Sequence, residues 1–269
     1  LGNQMFQYAM GAAVAEKLGT ELKLDTSKFK GYKLHNGFEM DTFNVEITTS
    51  SWIDLWRVKI KNVFYLNSKE KFFYKQKNFT FDQSIVFNSK DIYLNGYWQS
   101  ELFFKNIGKE IRDKFKFIKE LGEESKKIRS RILGANSVSV HVRRGDYINN
   151  SNYNVLSMDY YNEAIEYICS KNTDELTFFI FSDDIKWAKE NFSKLSNFIF
   201  IERKSKSPDW EDMYLMTQCK HNIIANSSFS WWGAWLNSNE NKISIAPKVW
   251  FSDESIDVRD LIPCSWVKL

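Results

Sequence analysis

Hydrophobic and polar positions follow two regimes along the chain, and the change comes near its middle. In the second half, short and nearly continuous apolar runs ("SVSVHV", "LTFFIFSDD", "NFIFIE", "HNIIANSS", "KISIAPKVW") predict buried strands. Between them, "SMDYYNEAIEYICSK", "IKWAKENF", "DWEDMYLMTQCK" and "FSWWGAWLNS" place apolar residues three or four apart and predict helices, the first with Ser157 as its N-cap. Fully apolar strands alternating with helices imply a parallel sheet covered on both faces, the doubly wound α/β arrangement.

The first half is less regular. Met5, Phe6, Ala9, Ala12, Ala13 and Leu18 describe an amphipathic or buried helix ended by Gly19, and "TELKLD" then alternates like a strand. From Gly31 to Phe87 the pattern is weak: "SSWIDLWRVKIKNVFYL" suggests a helix feeding a strand, and "EKFFYKQKNFTFDQSIVF" suggests short or irregular β structure. "DIYLNGYWQSELFF" predicts a strand, a turn at Asn95 and Gly96, and a helix start, with helical pattern to about Leu133. The charged stretch at 120–135 marks the expected boundary, giving domains over 1–130 and 131–269.

Composition narrows the function classes. With 37 basic and 34 acidic residues the net charge is +3, too weak for a general nucleic-acid or membrane-surface binder, so any anion site must be local. Cys169, Cys219 and Cys264 are widely spaced and suit reduced thiols. No run of eighteen apolar residues exists and no signal-peptide pattern opens the sequence, so the expected place is the cytoplasm, with peripheral contact at the inner membrane face allowed.

In a doubly wound domain, ligands bind beyond the carboxyl ends of the strands, and three strands here end in polar clusters: "VHVRRGDY", "FIFSDD" and "IIANSSFS". Arg143 and Arg144 carry rigid forks of donors that suit phosphate oxygens, and the strand end is expected to lack carboxylate partners nearby. The alternative is an ordinary ion pair of Arg144 with Asp146 or Glu163. His141 suits either a core or a ligand position. Of Asp183 and Asp184, one is expected to cap the next helix and the other to contact ligand. Asn226, Ser227, Ser228 and Ser230 lie at a strand-to-helix turn whose N–H groups suit phosphate, although a plain N-cap would explain one serine. Trp231, Trp232 and Trp235 are expected to pack. There is no Asp-x-Asp metal motif, no G-x-G-x-x-G and no G-K-[ST]. The "RGD" tripeptide is incidental.

In this order, "LGNQMFQYA", "HVRRGDY", "FSDD" and "NSSFSWWGAWL" resemble the α-1,2-fucosyltransferase family, glycosyltransferase family 11, over nearly the whole chain; the likeness to α-1,6- and protein O-fucosyltransferases is more distant. The resemblance implies an α/β, GT-B-like enzyme with two Rossmann-like domains facing a cleft, the first on the acceptor side and the second binding GDP-fucose. It implies a galactoside 2-alpha-L-fucosyltransferase that uses GDP-β-L-fucose as donor substrate, inverts the anomeric carbon, acts on a glycan with terminal galactose, and needs no cofactor or metal. Carried over by motif, Arg143 would hold the β-phosphate, His141 and Asp212 the guanosine, and Ser227, Ser228 and Phe229 the diphosphate, with Asn226 and Asp183 lining the donor site. Gly2 and Asn3 would reach the fucose-phosphate end, and Asp146 is the candidate general base. Another nucleotide sugar, or a non-catalytic carbohydrate-binding role, stays open. The family pattern also implies a strand and a Gly-Gly pair before Leu1, so the first domain is expected to lack its first strand in this sequence.

Overall fold

A computed structural model describes the chain except for residues 30–36, 65–70, 84, 86, 88, 193–196 and 203–207. It divides into two compact units. The first holds Leu1, 3–118 and Asp257–Pro263; the second holds Gly2, Lys119–Ile256 and Cys264–Leu269.

In the first unit, α1 (Gly2–Leu18) buries Met5, Phe6, Tyr8, Ala9, Met10 and Val14. It stops at Gly19, which adopts the left-handed conformation (φ 59°) that only glycine takes without a Cβ clash. The "TELKLD" strand is reduced to one parallel bridge, Leu24 with Thr49. Helix α2 (Trp52–Phe64) starts at Ser51, whose N–H and hydroxyl both donate to Asp54 Oδ2 at 2.8 Å. The strand expected to follow it falls partly outside the described residues. β1 (Phe73–Lys75) pairs in parallel with β2 (Tyr93–Asn95).

The turn expected at Asn95 and Gly96 follows β2, with the bend at Gly96. Gly96 is needed for close approach, since a Cβ there would lie 2.5 Å from Gln76 Cβ. The left-handed residue is Trp98 (φ 56°), where Gln76 Oε1 accepts the N–H groups of both Tyr97 and Trp98. The helical run expected from there to Leu133 is broken: α3 (Gly108–Lys114) ends at buried Phe115, and α4 (Glu123–Leu133) restarts within the second unit. The intervening Phe117 bridges Phe43 in an antiparallel contact, which requires extended backbone.

The second unit follows the predicted alternation. β3 (Ser137–Val142), α5 (Met158–Ser170), β4 (Thr177–Ser182), α6 (Ile185–Phe192), β5 (Phe198–Phe200), α7 (Trp210–Gln218), β6 (His221–Ile223), α8 (Ser228–Leu236) and β7 (Ser244–Ala246) succeed one another. A short β8 (Val267–Lys268), unforeseen from sequence, completes an all-parallel sheet in the order β5-β4-β3-β6-β7-β8. Alternate residues of β4 feed opposite faces: Phe178 and Ile180 pack with Tyr161 and Ile168 of α5 and Phe192 of α6, whereas Phe179 and Phe181 pack with Ile132 of α4 and Leu215 and Met216 of α7. Strands buried on both faces explain the continuous apolar runs. Ser157 is the N-cap residue of α5 by position, but its hydroxyl donates to Asp159 and does not cap the helix backbone.

Candidate active site

Chain order fixes where the site can be. From β3 the chain adds β4 and β5 on one side, then returns to add β6, β7 and β8 on the other. The reversal lies between β3 and β6, where two neighbouring connections leave the sheet in opposite directions and open a crevice at the carboxyl ends. "RRGDY" follows β3 and "ANSSF" follows β6, so these two predicted clusters flank that crevice.

The arginine cluster departs from the expectation that it lacks carboxylates. Arg143 Nη2 pairs with Asp146 Oδ1 at 2.7 Å and Arg143 Nη1 with Asp183 Oδ2 at 3.0 Å. Arg144 pairs with neither Asp146 nor Glu163 but with Asp184, Nε to Oδ2 at 3.3 Å, and its guanidinium lies 4.1 Å over the Trp187 ring. The cause is strand geometry: successive residues leaving β3 face opposite ways, so Arg143 meets the ring of Tyr147 while Arg144 is carried toward α6. Asp183 ties the turn together, because its Oδ1 also accepts the Arg144 N–H at 2.9 Å. Asp184 is the cap of α6, accepting the Trp187 N–H at 3.1 Å.

Gly145, passed over as part of an incidental tripeptide, has a steric duty. A Cβ there would sit 2.8 Å from Asp183 Oδ2, the same oxygen that holds Arg143. Tyr147 is a second residue missed from sequence. Its hydroxyl donates to the Asn226 carbonyl at 3.1 Å, and its ring stacks on Tyr153 at 4.3 Å, which in turn meets Phe251. It is the bridge between the two clusters; an aromatic at the fifth position after the strand was its only sequence signal.

On the other side of the crevice, Ser227 is the N-cap of α8, its Oγ accepting the Phe229 N–H at 3.3 Å. Ser230 turns back to the carbonyls of Ala225 and Ser227. These are structural roles for two of the serines, while Ser228 and Phe229 remain half-exposed. Asn226 is fully buried, and its amide donates to the carbonyls of Asn154 and Trp250, both at 2.9 Å, leaving its Oδ1 without a hydrogen-bond partner. His141 is buried with its ring 5.9 Å from that of Phe229 and its Nδ1 unpartnered. Burial, and then the charge of Arg143, lower its pKa to about 3, so it is a neutral imidazole with an unused polar atom.

The remaining predicted residues are more scattered. Gly2 is grouped with the second unit: its carbonyl accepts the Trp232 indole N–H at 3.0 Å, and a Cβ would lie 2.5 Å from the Ser228 carbonyl carbon. Asn3 belongs to the first unit, where its Oδ1 accepts from Gln99. Asp212 is half-buried in the first turn of α7. Its neighbour Glu211 is buried and accepts from the Gly122 N–H and the Ser125 hydroxyl at the start of α4, a duty no sequence pattern announced. Trp231, Trp232 and Trp235 are buried and pack on one another.

The first unit contains a cavity of about 470 Å³. Its lining comes from α1, segment 20–25 and β2.

The sequence model described as Glycosyl transferase family 11 matches residues 1–269. The chain belongs to that family. Among its relatives, an alpha-1,2-colitosyltransferase of Escherichia coli is 37% identical over 282 residues, covering 100% of this chain and 96% of the relative. The O-antigen biosynthesis glycosyltransferase WbnK, also of Escherichia coli, is 32% identical over 297 residues and covers 100% and 97%. Galactoside alpha-(1,2)-fucosyltransferase 1 of Ateles belzebuth is 29% identical over 155 residues, which are 53% of this chain and 42% of that one. The crystal structure of NodZ alpha-1,6-fucosyltransferase soaked with GDP-fucose aligns with a TM-score of 0.50 at 13% identity, covering 88% and 89% of the two chains. The family 11 chain thus has the α/β, GT-B-like fold of fucosyltransferases.

Proposed function

We propose that this family 11 chain transfers L-fucose from GDP-β-L-fucose to the 2-hydroxyl of a galactose-type acceptor, with inversion. The observation that carries the reading is the gathering of Arg143, His141 and the α8 N-terminus around the strand reversal of a parallel sheet. As the bond from sugar to β-phosphate breaks, negative charge grows on the diphosphate, and donors already fixed in place stabilise it there. Arg143 and the turn around Ser227, Ser228 and Phe229 supply those donors. Both terminal nitrogens of Arg143 are held by carboxylates, so the diphosphate exchanges for at least one of them. Asp146, paired to Arg143 at 2.7 Å, then serves to orient the guanidinium, which leaves no residue assigned as general base. In this reading the unpartnered His141 Nδ1 would take a hydrogen bond from the guanosine.

A second reading has a specific observation behind it. The relative at 37% identity over the whole chain is named for colitose, the 3-deoxy counterpart of L-fucose, and an enzyme that accepts a hydrogen at C3 needs no partner for a hydroxyl there. Incubation of the purified chain with GDP-fucose, GDP-colitose, UDP- and ADP-sugars and a panel of galactosides, with NMR assignment of the product linkage, decides between them. We expect an α-1,2 product from a GDP-activated 6-deoxy sugar, and GDP at one hundred times its Kd to stabilise the fold by about 2.7 kcal/mol. Transfer from a UDP-sugar alone, or no stabilisation by GDP, overturns both readings.

A further inference from the structure

The helix α2 has its amphipathic face turned the wrong way for a helix that covers a core. None of its thirteen residues is buried, and Trp52, Ile53, Trp56, Val63 and Phe64 are 75%, 47%, 59%, 62% and 80% exposed. At 100° per residue these five, with Ile60, fall in one arc of about 120°. The opposite side carries Asp54, Leu55, Val58 and Lys61, all half-buried, and fastens the helix through the pairs Lys23–Asp54 and Lys61–Asp91. Two ion pairs and the half-buried Leu55 and Val58 therefore hold the helix to its unit while the wider apolar arc faces outward. Arg57 and Lys59 stand at the two borders of that arc. The stretch 57–77 contains seven Lys or Arg and a single acidic residue, Glu70, in a chain whose net charge is only +3.

We infer that this face of α2 rests on an anionic phospholipid bilayer, with the two tryptophans at headgroup depth and the bordering cations against lipid phosphate. Tryptophan favours the membrane–water boundary, and a basic rim around an apolar arc is the arrangement of helices that lie in the interface plane. A second copy docked face to face would bring the same cations toward one another, and a neutral apolar groove would leave them without counter-charge. The inference is independent of the donor and acceptor readings, because none of these residues belongs to the candidate site.

Flotation of the full chain with vesicles of phosphatidylcholine, with and without about 30% phosphatidylglycerol, tests it. The wild type should bind the anionic vesicles at least about tenfold better than the neutral ones and lose binding as salt rises. W52S/W56S and R57E/K59E should each reduce that binding about tenfold while circular dichroism and Tm stay unchanged. Wild-type protein that floats with neither vesicle, or W52S/W56S that floats as well as wild type, overturns the inference. A concentration-dependent dimer abolished by W52S/W56S also overturns it, and gives the face to a second copy.

Discussion

Helices α2 and α5 are both thirteen residues long and both amphipathic, yet they are used in opposite senses. α5 buries Tyr160, Tyr161, Ala164, Ile165 and Ile168 against a six-stranded sheet, whereas α2 buries nothing. Periodicity predicts that a helix forms and that one side is apolar; it does not say whether a core is available to receive that side. In the second unit the sheet offers two broad apolar faces. In the first, among the described residues, the strands are three residues long and the helix α2 is fastened by ion pairs. Position in the fold, not pattern, separates a core helix from a surface one.

The contrast is sharpest for function. The second unit's sheet reversal is where the arginine turn and the α8 N-terminus meet, so the largest effect is expected there. Arg143→Ala should cut transfer at least about a thousandfold, about 4 kcal/mol of transition-state stabilisation. Arg143→Lys should restore little, because one ammonium cannot replace a fork held between two carboxylates. Initial rates with whichever GDP-sugar the donor panel selects measure both. Transfer by Arg143→Ala at the wild-type rate would remove the phosphate role.

The next test separates the two apolar surfaces. Phe179, wholly buried among Ile132, Leu215 and Met216, should cost about 3 to 5 kcal/mol of stability when replaced by alanine. Trp56→Ala, on the exposed arc of α2, should stay within about 0.5 kcal/mol. Urea unfolding of each against wild type gives the two values. A loss above about 1 kcal/mol for Trp56→Ala would mean that its face packs on something, and the comparison between the helices would fail.

The same contrast explains what was legible in the sequence. β3, β4, β6 and β7 were recognisable because strands buried on both sides must be continuously apolar, and their polar ends then pointed to one rim. What failed were features fixed by groups far away in sequence or by very short elements. Asp183 reaches Arg143 from forty residues on, so the arginine looked unpaired. Asp146 was in plain view, but the facing of successive strand residues gave it to Arg143 and left Arg144 to Asp184. Glu211 caps α4 across 89 residues, and β8 is only two residues long. The turn after β2 was placed correctly from its glycine, although Gly96 serves close packing and Trp98 carries the unusual backbone angle.

A smaller effect probes the rim through acid. His141 is buried, its Nδ1 has no hydrogen-bond partner, and its pKa is lowered to about 3, first by burial and then by Arg143. An unfolded histidine titrates near 6.5, so between about pH 6.5 and 3 the unfolded state binds a proton that the folded state refuses. The neutral imidazole's contribution is therefore fully present above about pH 6.5 and is lost progressively as pH falls through that window. At 1.36 kcal/mol per unit, the drop from pH 6.5 to 5 is about 2 kcal/mol. His221, buried and also lowered by burial and then Lys220, adds a loss of the same sign, so the difference between wild type and His141→Gln isolates the first. Urea unfolding at pH 7, 6 and 5 should show His141→Gln losing less stability than wild type over that range. Equal losses in the two proteins would mean that the imidazole at the end of β3 accepts a proton in the folded state, and an imidazolium there would face Arg143 with like charge just where the rim is proposed to hold an anion.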